Sequence, residues 1–163
     1  MPISNITQPE LIDINDKLRL RKFDNNYLFA VNWYQDIETV YLVDGVKEPY
    51  SDDKIKTMYE YLNNKGELYF IEIKEDYEFI PIGDVTFWQY DLPIVIGDKK
   101  YRSKGIGKQV VKALINRAID LGYKELYVKE IYTYNICSQR LFESLGFVRI
   151  GNTDKGFSYK LTL

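Results

Sequence analysis

Arg102-Ser103-Lys104-Gly105-Ile106-Gly107 joins a strand-like run, Ile94-Val95-Ile96, to a stretch with helical apolar spacing over residues 110–121. This order decides the reading of the fold. Glycines let the chain turn tightly and let an anion approach the backbone, and the following helix offers unpaired amides and the positive end of its dipole. Lys99, Lys100, Arg102, Lys104 and Lys108 add positive charge, which favours a multiply charged ligand such as a phosphate. A solvated loop with a helix cap suits the same hexapeptide, so both readings stand on these residues alone. The stretch is neither a nucleotide P-loop, because Gln109 follows Lys108 where a hydroxyl is needed, nor a dinucleotide fingerprint, because Val110 takes the place of its third glycine.

Working outward, the 163 residues suit one domain, and 45% hydrophobic with 28% charged residues is ordinary globular composition. A net charge of −2 and a pI near 5.3 argue against a nucleic-acid partner, while cationic substrates remain compatible. The absence of histidine and the single cysteine remove Ser-His and Cys-His pairs and the usual zinc ligand sets, so no metal is expected. Cys137 has no partner for an internal disulfide. No apolar run approaches the ~20 residues that span a bilayer, and no basic-then-apolar leader opens the chain. A cytoplasmic protein without membrane contact is expected, which makes Asn5-Ile6-Thr7 a chance sequon.

Residues 17–23 alternate as a strand, 27–35 read as a helix after Asp24 and Asn25, and 40–50 as loop or short helix. Ser51 caps a helix that ends before Gly66. Residues 67–74 and 80–89 read as a hairpin, with Pro81 at a strand start. After the glycine link, Val110, Val111, Leu114, Ile115, Ala118 and Leu121 form a helix stopped by Gly122. A strand over 125–131, a short helix over 138–145 and strands over 147–152 and 157–163 complete the order β-α-α-β-β-β-α-β-α-β-β. Residues 1–16 read as a lead-in and 17–163 as the single domain.

With these elements in place, the chain resembles the GNAT superfamily of acetyl-CoA-dependent N-acetyltransferases. Arg102, Gly105 and Gly107 match one signature block, and Asn135, Ser138, Leu141, Gly146 and Phe147 match a second. The resemblance implies an α/β (α+β) fold with a mixed, mostly antiparallel sheet flanked by helices. It further implies that the amides of Lys104, Gly105, Ile106, Gly107 and Lys108, with Arg102 shaping the loop, hold the pyrophosphate of acetyl-CoA. The strands at 94–97 and 125–131 are expected to splay, leaving an edge on Val95 and Ile96 for the pantetheine arm. Asn135 would bond that arm and Ser138 would lie by the thioester, although either residue also suits a simple helix cap.

Glu130, five residues before Asn135, is the expected general base, ahead of Asp98 and Asp91; a surface carboxylate in Lys129-Glu130 is the plainer alternative. Phe142 stands where many members carry a proton-donating tyrosine. Ser138 is the first substitute, with Tyr132 and Tyr134 nearby. Trp33, Tyr34, Asp36 and Glu38 resemble the acceptor region of ribosomal-protein N-terminal acetyltransferases and aminoglycoside 6′-N-acetyltransferases, so the resemblance implies an acceptor pocket near residues 33–50, where Asp36, Glu38, Asp44 and Glu48 suit a cationic amine or simply a solvated loop. Ile94 replaces an aspartate that the drug-modifying relatives carry. The expectation is an N-acetyltransferase, monomeric or homodimeric, acting on a small amine or a protein N-terminus. An aminoglycoside-modifying enzyme and a non-catalytic acyl-CoA-binding module are the alternatives.

Overall fold

The computed structural model describes residues 2–163. Two antiparallel sheets meet beneath helices that lie on both sides. The first carries, in order of pairing, β1 (Leu11–Asn15), β2 (Leu18–Lys22), β3 (Glu67–Glu75), β4 (Glu78–Phe87) and β5 (Ile94–Ile96). The second carries β6 (Glu125–Tyr132), β8 (Gly156–Thr162) and β7 (Val148–Asn152) in that order. The helices are α1 (Val31–Gln35), α2 (Ile37–Asp44), α3 (Asp52–Lys65), α4 (Ile106–Asp120) and α5 (Ile136–Ser144). This is the mixed α/β architecture expected.

The unbroken apolar run Leu68-Tyr69-Phe70-Ile71 in β3 has a direct cause: both faces of this strand are covered. Leu68 and Phe70 pack with Tyr34, Val40, Ile55 and Tyr59 of α1–α3, whereas Tyr69 and Ile71 face Val110, Val111 and Leu114 of α4. Glu67, fully buried, accepts from Arg117 of α4 at 2.5 and 2.6 Å and from Tyr69, and this fixes the helix that follows the glycine link.

Four details differ from the sequence reading. Residues 11–15, expected within a lead-in, form β1 against β2, because a free strand edge recruits even a half-exposed segment. Residues 37–44 are helical from Asp36, whose carboxylate caps α2 through Thr39 N at 2.9 Å. Pro81 lies inside β4 beside a bulge, where Ile71 faces Gly83 and Glu72 faces Pro81; a residue lacking an N–H is tolerated there. Finally, α4 begins at Ile106, four residues early: buried Ile106 already stands one turn before Val110 on the same apolar face, and only the glycine and the polar pair Lys108-Gln109 between them obscure the period.

Asp84 of β4 is buried and accepts Tyr34 Oη at 2.6 Å and Tyr59 Oη at 2.8 Å, pinning α1 and α3 to the sheet. Desolvation pushes its carboxyl up to about 6, against the downward pull of the two hydroxyls. A folded value raised above the unfolded one contributes stability that is lost as pH rises through about 6. The advantage of Asp84→Asn over wild type should therefore grow by about 1.4 kcal/mol between pH 5 and pH 7.5, measured by urea unfolding at each pH. A constant difference would show that Asp84 does not ionise in this window.

Candidate functional site

The Cα-bound hydrogens of Gly105 permit φ +77, and an added Cβ there would meet nothing within 4 Å. The chain therefore curls into α4 with its first turn open. Gln109 N, donating to Gly105 O at 3.3 Å, is the first amide of the turn to find a carbonyl; among the described residues, those of 104–108 have no acceptor. Ser103, Lys104, Gly105 and Lys108 are exposed around them. Five unpaired N–H groups at the positive end of a fifteen-residue helix are the arrangement that suits an anion, a candidate anion seat. Arg102 does not compete for the anion. Its Nε donates to Ile96 O at 2.8 Å and its Nη2 to Thr39 Oγ1 at 2.6 Å, so the guanidinium ties the loop to β5 and α2.

From this seat β5 leads back into a cleft of about 640 Å³ between itself and β6. The two strands share no ladder: β5 pairs with β4 and β6 with β8. Val95 and Ile94 line one wall, Val128 and Ile131 the other, and Asn135, Ser138 and Phe142 the end toward α5. The free edge is shifted by one residue from expectation. Val95 pairs with Asp84, and its carbonyl lies 2.1 Å from where a Cβ on Gly83 would fall; the strand's alternation therefore points the backbone groups of Val95 at β4 and those of Ile94 and Ile96 away from it, while the Val95 residue itself still lines the cleft. Ile96 O already accepts Arg102.

Asn135 caps α5, its Oδ1 accepting Ser138 N at 3.2 Å and its Nδ2 lying 3.4 Å from Leu42 O of α2. Phe142 is buried edge-on against Phe147, a packing role. Glu130 reaches the cleft because β6 bulges between Val128 and Ile131, which takes it out of the ladder. Its carboxylate accepts the Thr153 hydroxyl, whose oxygen in turn accepts Gly156 N at 2.9 Å. Tyr132 lines the cleft, with Tyr134 stacked between it and Tyr41; Tyr134 Oη is occupied by Tyr41 O. Asp98 caps the turn at Lys99–Tyr101 through Lys100 N.

None of the four residues expected to meet an acceptor lines this cleft. Trp33 is buried against Gly97, where any Cβ would fall 2.2 Å from the indole. Tyr34 is committed to Asp84. Asp36 caps α2 and pairs with Lys99 at 2.9 Å, and Glu38 pairs with the same lysine at 3.3 Å. The Thr39 hydroxyl, followed by Lys99, holds the Asp36 carboxyl down at about 2. Asp36→Ala should accordingly lower stability by about 1 kcal/mol through the lost cap and leave acceptor KM unchanged, as read by thermal unfolding beside steady-state kinetics. Leu42 and Val43, within the 33–50 stretch expected to hold the acceptor, do line the mouth, together with Tyr132, Thr153 and Asp154, of which the sequence singles out only Tyr132, as a proton donor.

No helix among the described residues is long and apolar enough to cross a membrane. Residues 29–147 match the model of the Acetyltransferase (GNAT) family. Solved structures share the fold over nearly their whole length. A domain from Methanocaldococcus jannaschii is 23% identical with a TM-score of 0.77, covering 91% of this chain and 100% of its own. Spermidine N-acetyltransferase from Vibrio cholerae, in complex with CoA and spermine, is 20% identical with a TM-score of 0.66, covering 91% and 96%. The Salmonella typhimurium acetyl transferase that modifies the N-terminal serine of ribosomal protein L7/L12 is 16% identical with a TM-score of 0.67, covering 94% and 99%. No match is found among the curated proteins.

Proposed function

The chain belongs to the GNAT acetyltransferase family, and on that premise we propose that it transfers the acetyl group of acetyl-CoA to the nitrogen of a primary amine, either a small molecule or a protein N-terminus. One observation carries the reading: the unpaired amides of residues 104–108 adjoin the cleft between β5 and β6, a Cβ on Gly107 falling 4.0 Å from Ile94 Cδ1 of the cleft wall. A long ligand with a diphosphate at one end and a thioester at the other matches that layout. The amides and the helix dipole would take the diphosphate, the outward edge of Ile94 and Ile96 the amides of the arm, and Asn135 and Ser138 the end near sulfur.

Direct transfer needs a neutral amine, a proton acceptor for it, and a proton for the departing thiolate. Glu130, oriented by Thr153, would take the amine proton directly or through a water, and the Ser138 hydroxyl would supply the other. Holding both substrates in one cleft supplies much of the remaining barrier reduction, about 7–11 kcal/mol in well-oriented systems. Glu130 and Asp154 at the mouth favour a cationic acceptor over an anionic one.

The test is thiol release from acetyl-CoA across a panel of spermine, a peptide with a free N-terminal serine, and kanamycin. Turnover of any member supports the transferase, and preference for kanamycin would shift the assignment to aminoglycoside modification. Tight CoA binding without turnover on any amine would favour a non-catalytic acyl-CoA-binding module.

A further inference from the structure

Just before β5 and β6 part, β6 runs beside the link from β4 to β5, and the last contact between these two segments ends on a side chain. Tyr127 N donates to Gln89 O at 2.9 Å, a rung of the kind that joins parallel strands. Two residues further along both chains, the next rung would run from Lys129 N to the backbone carbonyl of Asp91. It runs instead to Asp91 Oδ1, 3.1 Å away, and the same oxygen accepts Leu92 N at 3.0 Å. Asp91 also closes a tight turn with Trp88 across an antiparallel bridge, so the backbone sets the carboxylate from both sides. Interposing a side chain where a carbonyl would sit moves one backbone away from the other. Immediately beyond this point the cleft opens, with Asp91 and Leu92 in its lining.

We infer that Asp91 is the positioning residue that holds this fork open and so prepares the channel for the pantetheine arm; the inference rests on the proposed function for what fills the cleft. The physical reason is the amide of Lys129. A backbone N–H at the base of a cleft must find an acceptor, and an unpaired one is costly. With the carboxylate in place, that need is met without the strands touching. Without it, the nearest remedy is for the backbone of residues 91–93 to move in and extend the ladder, which narrows the channel. The role needs a side-chain oxygen at this reach, not a negative charge, so asparagine should serve in its place.

Calorimetric titration of the full chain with two probes tests this: CoA, and adenosine 3′-phosphate 5′-diphosphate, which ends at the diphosphate and lacks the arm. Asp91→Ala should bind CoA at least tenfold more weakly and the nucleotide unchanged, while Asp91→Asn matches wild type with both. Should the alanine variant fail to fold, Asp91→Glu, which displaces the oxygen by one methylene, should show the same selective loss to a smaller degree. Equal CoA affinity in variant and wild type overturns the inference, as does an equal loss with both probes, which would mark general disruption. Failure of the wild-type protein to bind CoA overturns the proposed function and this inference together, a result distinct from either.

Discussion

Gly107→Asp is expected to weaken acetyl-CoA binding by about a hundredfold in a protein that still folds. A Cβ on Gly107 would lie 3.3 Å from Leu141 Cδ2 and 4.0 Å from Ile94 Cδ1, at the junction of the anion seat with the cleft. A carboxylate there would bring negative charge to the first turn of α4, beside the unpaired amides proposed to take the diphosphate. An acidic group at a helix N-terminus interacts favourably with the dipole, so the helix itself does not suffer. Leu141 must yield by a few tenths of an ångström, a modest demand on the side-chain end. Gly107→Ala isolates that steric part from the charge and should retain most of the affinity. Calorimetry on both variants separates the two effects. Unchanged affinity in Gly107→Asp would remove the loop from cofactor binding.

The second large effect concerns turnover. Glu130→Gln should lower kcat by about a hundredfold, with the KM for acetyl-CoA unaltered. Glutamine preserves an oxygen for the Thr153 hydroxyl, so the side chain keeps its place at the bulge while losing its capacity to accept a proton. Glu130 belongs to β6, whereas the open amides belong to the start of α4, so the change leaves them untouched. Rates measured across the ionisation range of the acceptor amine should show a profile altered in shape as well as height. If kcat and the profile both match wild type, Glu130 is a surface carboxylate and the proton leaves by another route.

How much was legible in the chain depended on whether a signal was local. The open start of α4 was readable because what shapes it is adjacent in sequence: Gly105 for the turn, Gly107 and Lys108 in the first turn after it and the apolar face of α4 behind. The hairpin at 67–87 and the capped α3 were equally plain, because alternation, turn residues and Ser51 act over a few positions. The acceptor side was not. Asp36 and Glu38 looked like an acidic lure for an amine, yet Lys99, far along the chain, neutralises both. Trp33 and Tyr34 looked like pocket aromatics, yet they fill the space above Gly97 and beside Asp84.

By itself, the order of apolar periods, caps and glycines determined which segments are strands and which are helices, and that open amides stand at the start of α4. Only the tertiary structure decided which carboxylates are free and where the strands divide. Glu130 is turned to the cleft by a bulge whose register is set by β8, and the fork is closed at its base by a bond from Asp91 to an amide thirty-eight residues away. Pairing between distant segments has no signature in local composition, because it is selected by the free energy of the whole packed arrangement and not by the preferences of either segment alone.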